Sequence, residues 1–281
     1  MFARQLSPFL FAFLAGIALV FAPASPVHAT DRDRVEAFLT TTGFDVALES
    51  IALSAENAPR MLGREAGDFG AQWTRLAERV FDTDRMHDMA VGILVETLDQ
   101  DDLAHAAGFY ATDLGQRLVV AENASHREAD RTGKLDRGEA LFAELEARDS
   151  PKVEVFQRMN DAISSDDASV RAVEEIQVRF LMAASAAGVL GQRLDEGALR
   201  AALAEDRDEL RSELRRNALA GAAFTYRDFS VEDLEAYAEA LEHPRMRRVY
   251  ELLNAVQHEI MAGRFEALAV AMAQLAPQEE L

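Results

Sequence analysis

Five histidines follow residue 29 (His87, His105, His126, His243 and His258), and metal binding or general acid–base work would begin with them. No pair has the His-Glu-x-x-His spacing, and His258-Glu259 lacks its second histidine. Glu122 and His126 stand one helical turn apart, which would suit a weak zinc site if a third ligand joined them. Without one, they are expected to form an exposed i,i+4 pair. Asp82, Asp84 and Asp88 imitate part of a calcium loop, but the glycine and terminal glutamate such a loop needs are missing. They read as an acidic helix start. The paired acids Asp101-Asp102 and Asp166-Asp167 point to different sides of a helix and suit its positive N-terminal end better than a shared proton. There is no Gly-x-Ser-x-Gly, no Walker pattern and no Gly-x-Gly-x-x-Gly, and the absence of cysteine rules out thiol chemistry and disulfides. No catalytic, cofactor-binding or metal-binding residue is assigned, and no enzyme activity or cofactor is expected.

The elements that would position any such residues are helices. After residue 29 proline occurs only at 59, 151, 244 and 277, while Ala, Leu, Glu and Arg dominate. No stretch alternates apolar and polar residues as a strand does. Apolar stripes at helical spacing are plain: Phe69, Trp73, Leu76 and Val80; Val231, Leu234, Ala238 and Leu241; Met246, Val249, Leu253, Val256 and Ile260. Leu199, Leu203, Leu210 and Leu214 mark a further helix with a charged outer side. Ser230 and Ser164 are candidate caps, Pro244 fits a first helical position, and Gly43 and Gly133 look like helix stops. The expected fold is an all-α, multi-helix bundle of two related halves built from αα-hairpins.

The N-terminus has the layout of a cleaved export signal. Arg4 precedes an apolar run from Phe9 to Phe21, then Pro23, Pro26 and Val27-His28-Ala29, with cleavage expected after Ala29. The apolar run is 13 residues, short of the roughly 20 that span a bilayer. The mature chain is therefore expected in the periplasm. Its formal charge is −20 for the whole sequence, becoming about −21 when the +1 of Arg4 leaves with the signal. Such a charge repels nucleic acid and anionic lipid and keeps the protein soluble.

Shifting the chain by 131 residues aligns Asp99–Ala124 with Ser230–Ala255, with six of 26 positions identical, among them Asp102/Asp233, Arg117/Arg248 and Asn123/Asn254. Chance would give roughly two. Each window reads as helix, tight turn, helix. Asn123-Ala124-Ser125 fits a glycosylation sequon, but its counterpart Asn254 has none, so the shared asparagine points to hairpin packing. The duplication divides the chain into a signal (1–29), an N-terminal half (30–149) and a C-terminal half (150–281), with Ser150-Pro151 as punctuation.

Within the first hairpin, the run from Phe109-Tyr110 through Thr112, Gly115 and Arg117 to Leu118 resembles the helix–turn–helix signature of the bacterial domain of unknown function 2059. A degenerate second copy would surround Ala240–Val249. The resemblance implies an exported helical protein and supplies no catalytic residues. In physical terms, Phe109 and Tyr110 would pack the hairpin corner, Thr112 would cap the second helix and Gly115 would let the two helices approach. With Arg117, Tyr237 and Arg248, these are the candidate packing or interaction residues.

Two function classes remain. The first is a non-catalytic periplasmic module that binds another periplasmic protein or stabilises the envelope, since hairpins present grooves. The alternative is a carrier of a small apolar ligand, with Trp73, Phe109, Tyr110, Phe180, Met182, Tyr237 and Tyr250 available as a lining. Ordinary core filling is the simpler account of that set, because aromatic residues at helical spacing usually just fill space.

Overall fold

The computed structural model describes residues 31–62 and 70–273. The expected signal and its cleavage point lie outside the described residues. The described chain is helical throughout and has no strand: α1 (Asp31–Thr42), α2 (Phe44–Ser54), a 3₁₀ segment (Ala55–Leu62), α3 (Gly70–Val80), α4 (Thr83–Thr97), α5 (Gln100–Tyr110), α6 (Asp113–His126), α7 (Arg131–Ala147), α8 (Lys152–Ile163), α9 (Asp166–Ala186), α10 (Glu196–Glu205), α11 (Arg207–Thr225), α12 (Val231–Glu242) and α13 (Pro244–Met272). The protein is all-α, as its composition and spacing predict.

The breaks between helices follow local chemistry. Gly43 adopts φ +71° between α1 and α2, a conformation that costs a side-chain-bearing residue energy. Asp99, Thr112 and Ser230 cap α5, α6 and α12 by accepting backbone N–H bonds, and Pro244 opens α13 behind His243. Three local expectations are corrected. Gly133 does not stop a helix; it lies in the first turn of α7, where its N–H donates to the Asp130 carboxylate at 2.9 Å. Ser165, not Ser164, caps α9, while Ser164 ends α8. The leucine stripe from Leu199 to Leu214 is two helices, broken at Asp206, and α10 buries none of its residues.

The 29-residue α13 runs through the molecule, packing along α9 and against α4 and α5. Helices α1 and α2 pack on α4, with α1 also meeting α5 and α2 meeting α6. Helices α8 and α9 pack on α11, with α8 also meeting α12 and α9 meeting α13. One buried apolar cluster extends from Val35 to Met272. Helices α7 and α11 lie close together because Gly138 has no side chain; a Cβ there would stand 2.3 Å from the Ala220 carbonyl oxygen. No helix among the described residues is long and apolar enough to cross a membrane.

Candidate functional site

The α5–α6 corner is built as its residue types predict. Thr112 Oγ1 accepts from the Gly115 N–H at 3.1 Å. A Cβ at Gly115 would lie 2.4 Å from the Phe109 carbonyl oxygen and 2.6 Å from the Tyr110 Cα, so only glycine lets α6 start this close to the end of α5. That contact fixes Tyr110, which is buried edge-on to Phe109 and Phe38. Phe109 in turn stacks flat on Tyr237 of α12, with ring centres 5.7 Å apart.

The chain has four tyrosines, Tyr110, Tyr226, Tyr237 and Tyr250, and all four meet. They come from the end of α5, the residue after α11, α12 and α13. Tyr110 and Tyr250 share a hydrogen bond, and Tyr237 bonds Tyr250 at 3.1 Å. Glu122, on α6, lies at their centre. Tyr226 donates to its Oε1 at 2.7 Å and Tyr237 donates to the same oxygen at 3.0 Å. Burial pushes the Glu122 carboxyl above the usual carboxylate range, and the two phenols only partly oppose it. Burial likewise pushes the Tyr110, Tyr226 and Tyr237 hydroxyls well above theirs, with the Glu122 charge adding to the effect. The expectation that Glu122 and His126 form an exposed surface pair is therefore overturned for Glu122. It falls in register with Gly115, Leu118 and Ser125, the buried stripe of α6, and turns inward among the phenols.

Glu122 also borders empty space. A cavity of about 410 Å³ is lined by α6, α7, α8, α11, α12 and α13, with Phe156, Met159, Ile163, Ala222 and Leu241 supplying apolar wall. Lys134 and His126 stand in that lining too; Lys134 Nζ donates to the Ser125 carbonyl at 2.7 Å, and Thr225 bonds Ser125 Oγ at 2.8 Å. Burial lowers the pKa of both Lys134 and His126, more so beside Arg131. A smaller cavity of about 140 Å³ lies on the other side, against α1 and α2, and Glu122, His126 and Tyr250 line both. Among the described residues no cluster of three or more His, Asp or Glu is arranged to hold a metal.

The remaining sequence candidates frame this centre. Arg117 forms a bidentate pair with Asp233 at 2.9 and 2.8 Å. Arg248 does the same with Asp102 at 2.8 and 2.7 Å, and its hydrogen bonds hold the buried Asp102 carboxyl below its usual range. Asn254 donates to the Ile163 carbonyl at 2.8 Å, and Asn123 lies where a Gly43 side chain would be. Of the aromatic and methionine set proposed as a lining, Tyr237 and Tyr250 reach the larger cavity and Tyr110 the smaller. Trp73 and Phe180 fill core instead. The lining also includes Tyr226, which its spacing did not single out.

Fold and site define an all-helical protein with a tyrosine–carboxylate centre beside an internal cleft. Residues 84–144 match the family model described as "Uncharacterized protein conserved in bacteria (DUF2059)". The Phe109–Leu118 signature lies inside that segment, together with Tyr110, Glu122, His126 and Lys134, whereas Tyr226, Tyr237 and Tyr250 lie beyond it. No curated protein and no solved structure matches the chain.

Proposed function

We propose that this protein is an exported, non-catalytic binding module that holds a small, largely apolar molecule in the cleft beside Glu122. The observation that carries this reading is the convergence of Glu122 with Tyr226, Tyr237 and Tyr250, from four different parts of the chain, on the wall of a cavity of about 410 Å³, with Tyr110 joined to them from the smaller cavity beside it. Ligand sites are typically clefts of this size, mostly apolar, with a few convergent polar groups. Phenols that hold their protons more tightly than in water act as hydrogen-bond donors rather than acid–base catalysts, which favours holding a ligand over transforming it. Docking another envelope protein on an apolar face has less to rest on. The large apolar side chains exposed among the described residues are Val120 on α6 and Val270 on α13.

The two hairpins α5–α6 and α12–α13 are read as copies. Asp102–Arg248 and Asp233–Arg117 are the same pair exchanged across the 131-residue offset, and α1 and α2 sit on their hairpin as α8 and α9 sit on theirs. The cleft then belongs to the junction of the copies. Native mass spectrometry of protein purified from the periplasm tests the reading. A removable small-molecule adduct is expected, on a chain beginning at Thr30. Protein that arrives empty and takes up no amphiphile offered to it would refute the binding role, and a retained leader would refute export.

A further inference from the structure

We infer that the ligand carries a protonated amine that seats on Glu122, so that the cleft takes ammonium-bearing amphiphiles in preference to neutral or acidic ones. This rests on the reading of the cleft as a ligand site. Glu122 differs from the other acids that face inward. Asp102 is 5% exposed and holds the guanidinium fork of Arg248; Glu174 is 7% exposed and holds that of Arg207. A buried carboxylate without a counter-charge is costly, and at both positions the fold supplies an arginine. At Glu122 it supplies two phenols, both on Oε1, and among the described residues no side chain donates to Oε2.

The surroundings offer no substitute cation. Lys134 points its ammonium at the Ser125 carbonyl, His126 stands at the shared rim, and neither forms an ion pair with the carboxylate. Helix α8 contributes Phe156, Met159, Asn160 and Ile163 to the lining, and α1 and α2 contribute Phe38, Thr42, Phe44 and Ala47, none of them charged. The other ionisable neighbours, Tyr110 and Tyr250, are phenols. Two phenols would be served equally well by the amide oxygen of a glutamine, so hydrogen bonding alone does not account for an acid here. An ammonium group would provide the missing charge and a donor for Oε2, at a half-buried position on the cleft wall where the attraction is less screened than at an open surface. Phe156, Met159 and Leu241 would cover its apolar body. The protein's charge of −20 enriches cations around it.

Three probes with one tail and different heads test this: decylamine, decanol and decanoate, titrated calorimetrically into the mature protein at neutral pH. Decylamine should bind about tenfold or more tightly than decanol. In Glu122→Gln, which keeps an acceptor for both phenols, the preference for decylamine over decanol should disappear. Equal binding of amine and alcohol, or preference for decanoate, overturns the ammonium assignment and leaves the cleft as a site. If none of the three binds, the cleft reading itself fails.

Discussion

Replacing Gly221 with leucine separates stability from binding. Gly221 lies within α11 and lines the larger cavity, and a Cβ built there meets no atom within 4 Å. Two gains follow. Leucine exceeds glycine in helix propensity by about 0.8 kcal/mol. Full burial of its side chain would contribute about 1.5–3 kcal/mol, and since the cleft opens to solvent roughly half of that is expected. The sum is about 1.5–2.3 kcal/mol, or a rise in Tm of roughly 3–9 °C for a chain of this length. The same side chain occupies the space a ligand needs, so binding of decanol or decylamine should fall at least tenfold. Scanning calorimetry and titration calorimetry on one preparation read both effects. A more stable variant that has lost binding cannot be dismissed as misfolded. A lowered Tm would mean that the space beside α11 is closed, and unchanged affinity would place the ligand elsewhere; either result refutes the reasoning.

The close α7–α11 approach makes opposite predictions for one substitution at two sites. Gly138→Ala drives a Cβ into the Ala220 carbonyl and should cost about 1–3 kcal/mol of overpacking, outweighing its propensity gain. Gly92→Ala, with open space around it on α4, should stabilise by up to about 1 kcal/mol, and thermal unfolding of the pair checks the contrast. Glu122 predicts a pH signature. Burial raises its folded carboxyl above the ordinary carboxylate value, so the native state holds the proton more tightly than the unfolded chain does. Stability from this group is therefore present at low pH, declines as pH rises past the unfolded value, and levels off above the folded one. Glu122→Gln should match the wild type in acid and exceed it at neutral pH in urea unfolding. A difference that does not vary with pH would refute the raised carboxyl.

Much of the helical layout was legible because it is local. Asp99, Thr112 and Ser230 announce helix starts by their own side chains, and Gly115 announces a close approach by having none. The misread boundaries share a cause. Gly133 and Ser164 are residue types that serve at either end of a helix, and which end applies depends on the neighbour that bonds them, Asp130 in one case and the end of α8 in the other. The site was legible in part. Tyr110 stood out in the hairpin signature, and Tyr237 and Tyr250 in the aromatic set, but Tyr226 follows α11 outside any stripe, and Glu122 carried a charge that suggested solvent. One signal was available: four residues before Glu122, Leu118 marks the inward face of α6, and an acid in that register is misplaced unless something inside receives it. What receives it comes from α11, α12 and α13, more than 100 residues downstream, and no local pattern reports on that distance.

Arg117 and Arg248 each find their acid on the opposite hairpin. Neither of these two pairs closes within a single hairpin. A chain cut near Ser150 would leave Asp102 facing a vacant place where a guanidinium belongs, and the C-terminal remainder would leave Asp233 in the same position. The molecule is thus interlocked by debts its two ends hold against each other, and these favour synthesis, folding and breakdown of the two ends as a unit.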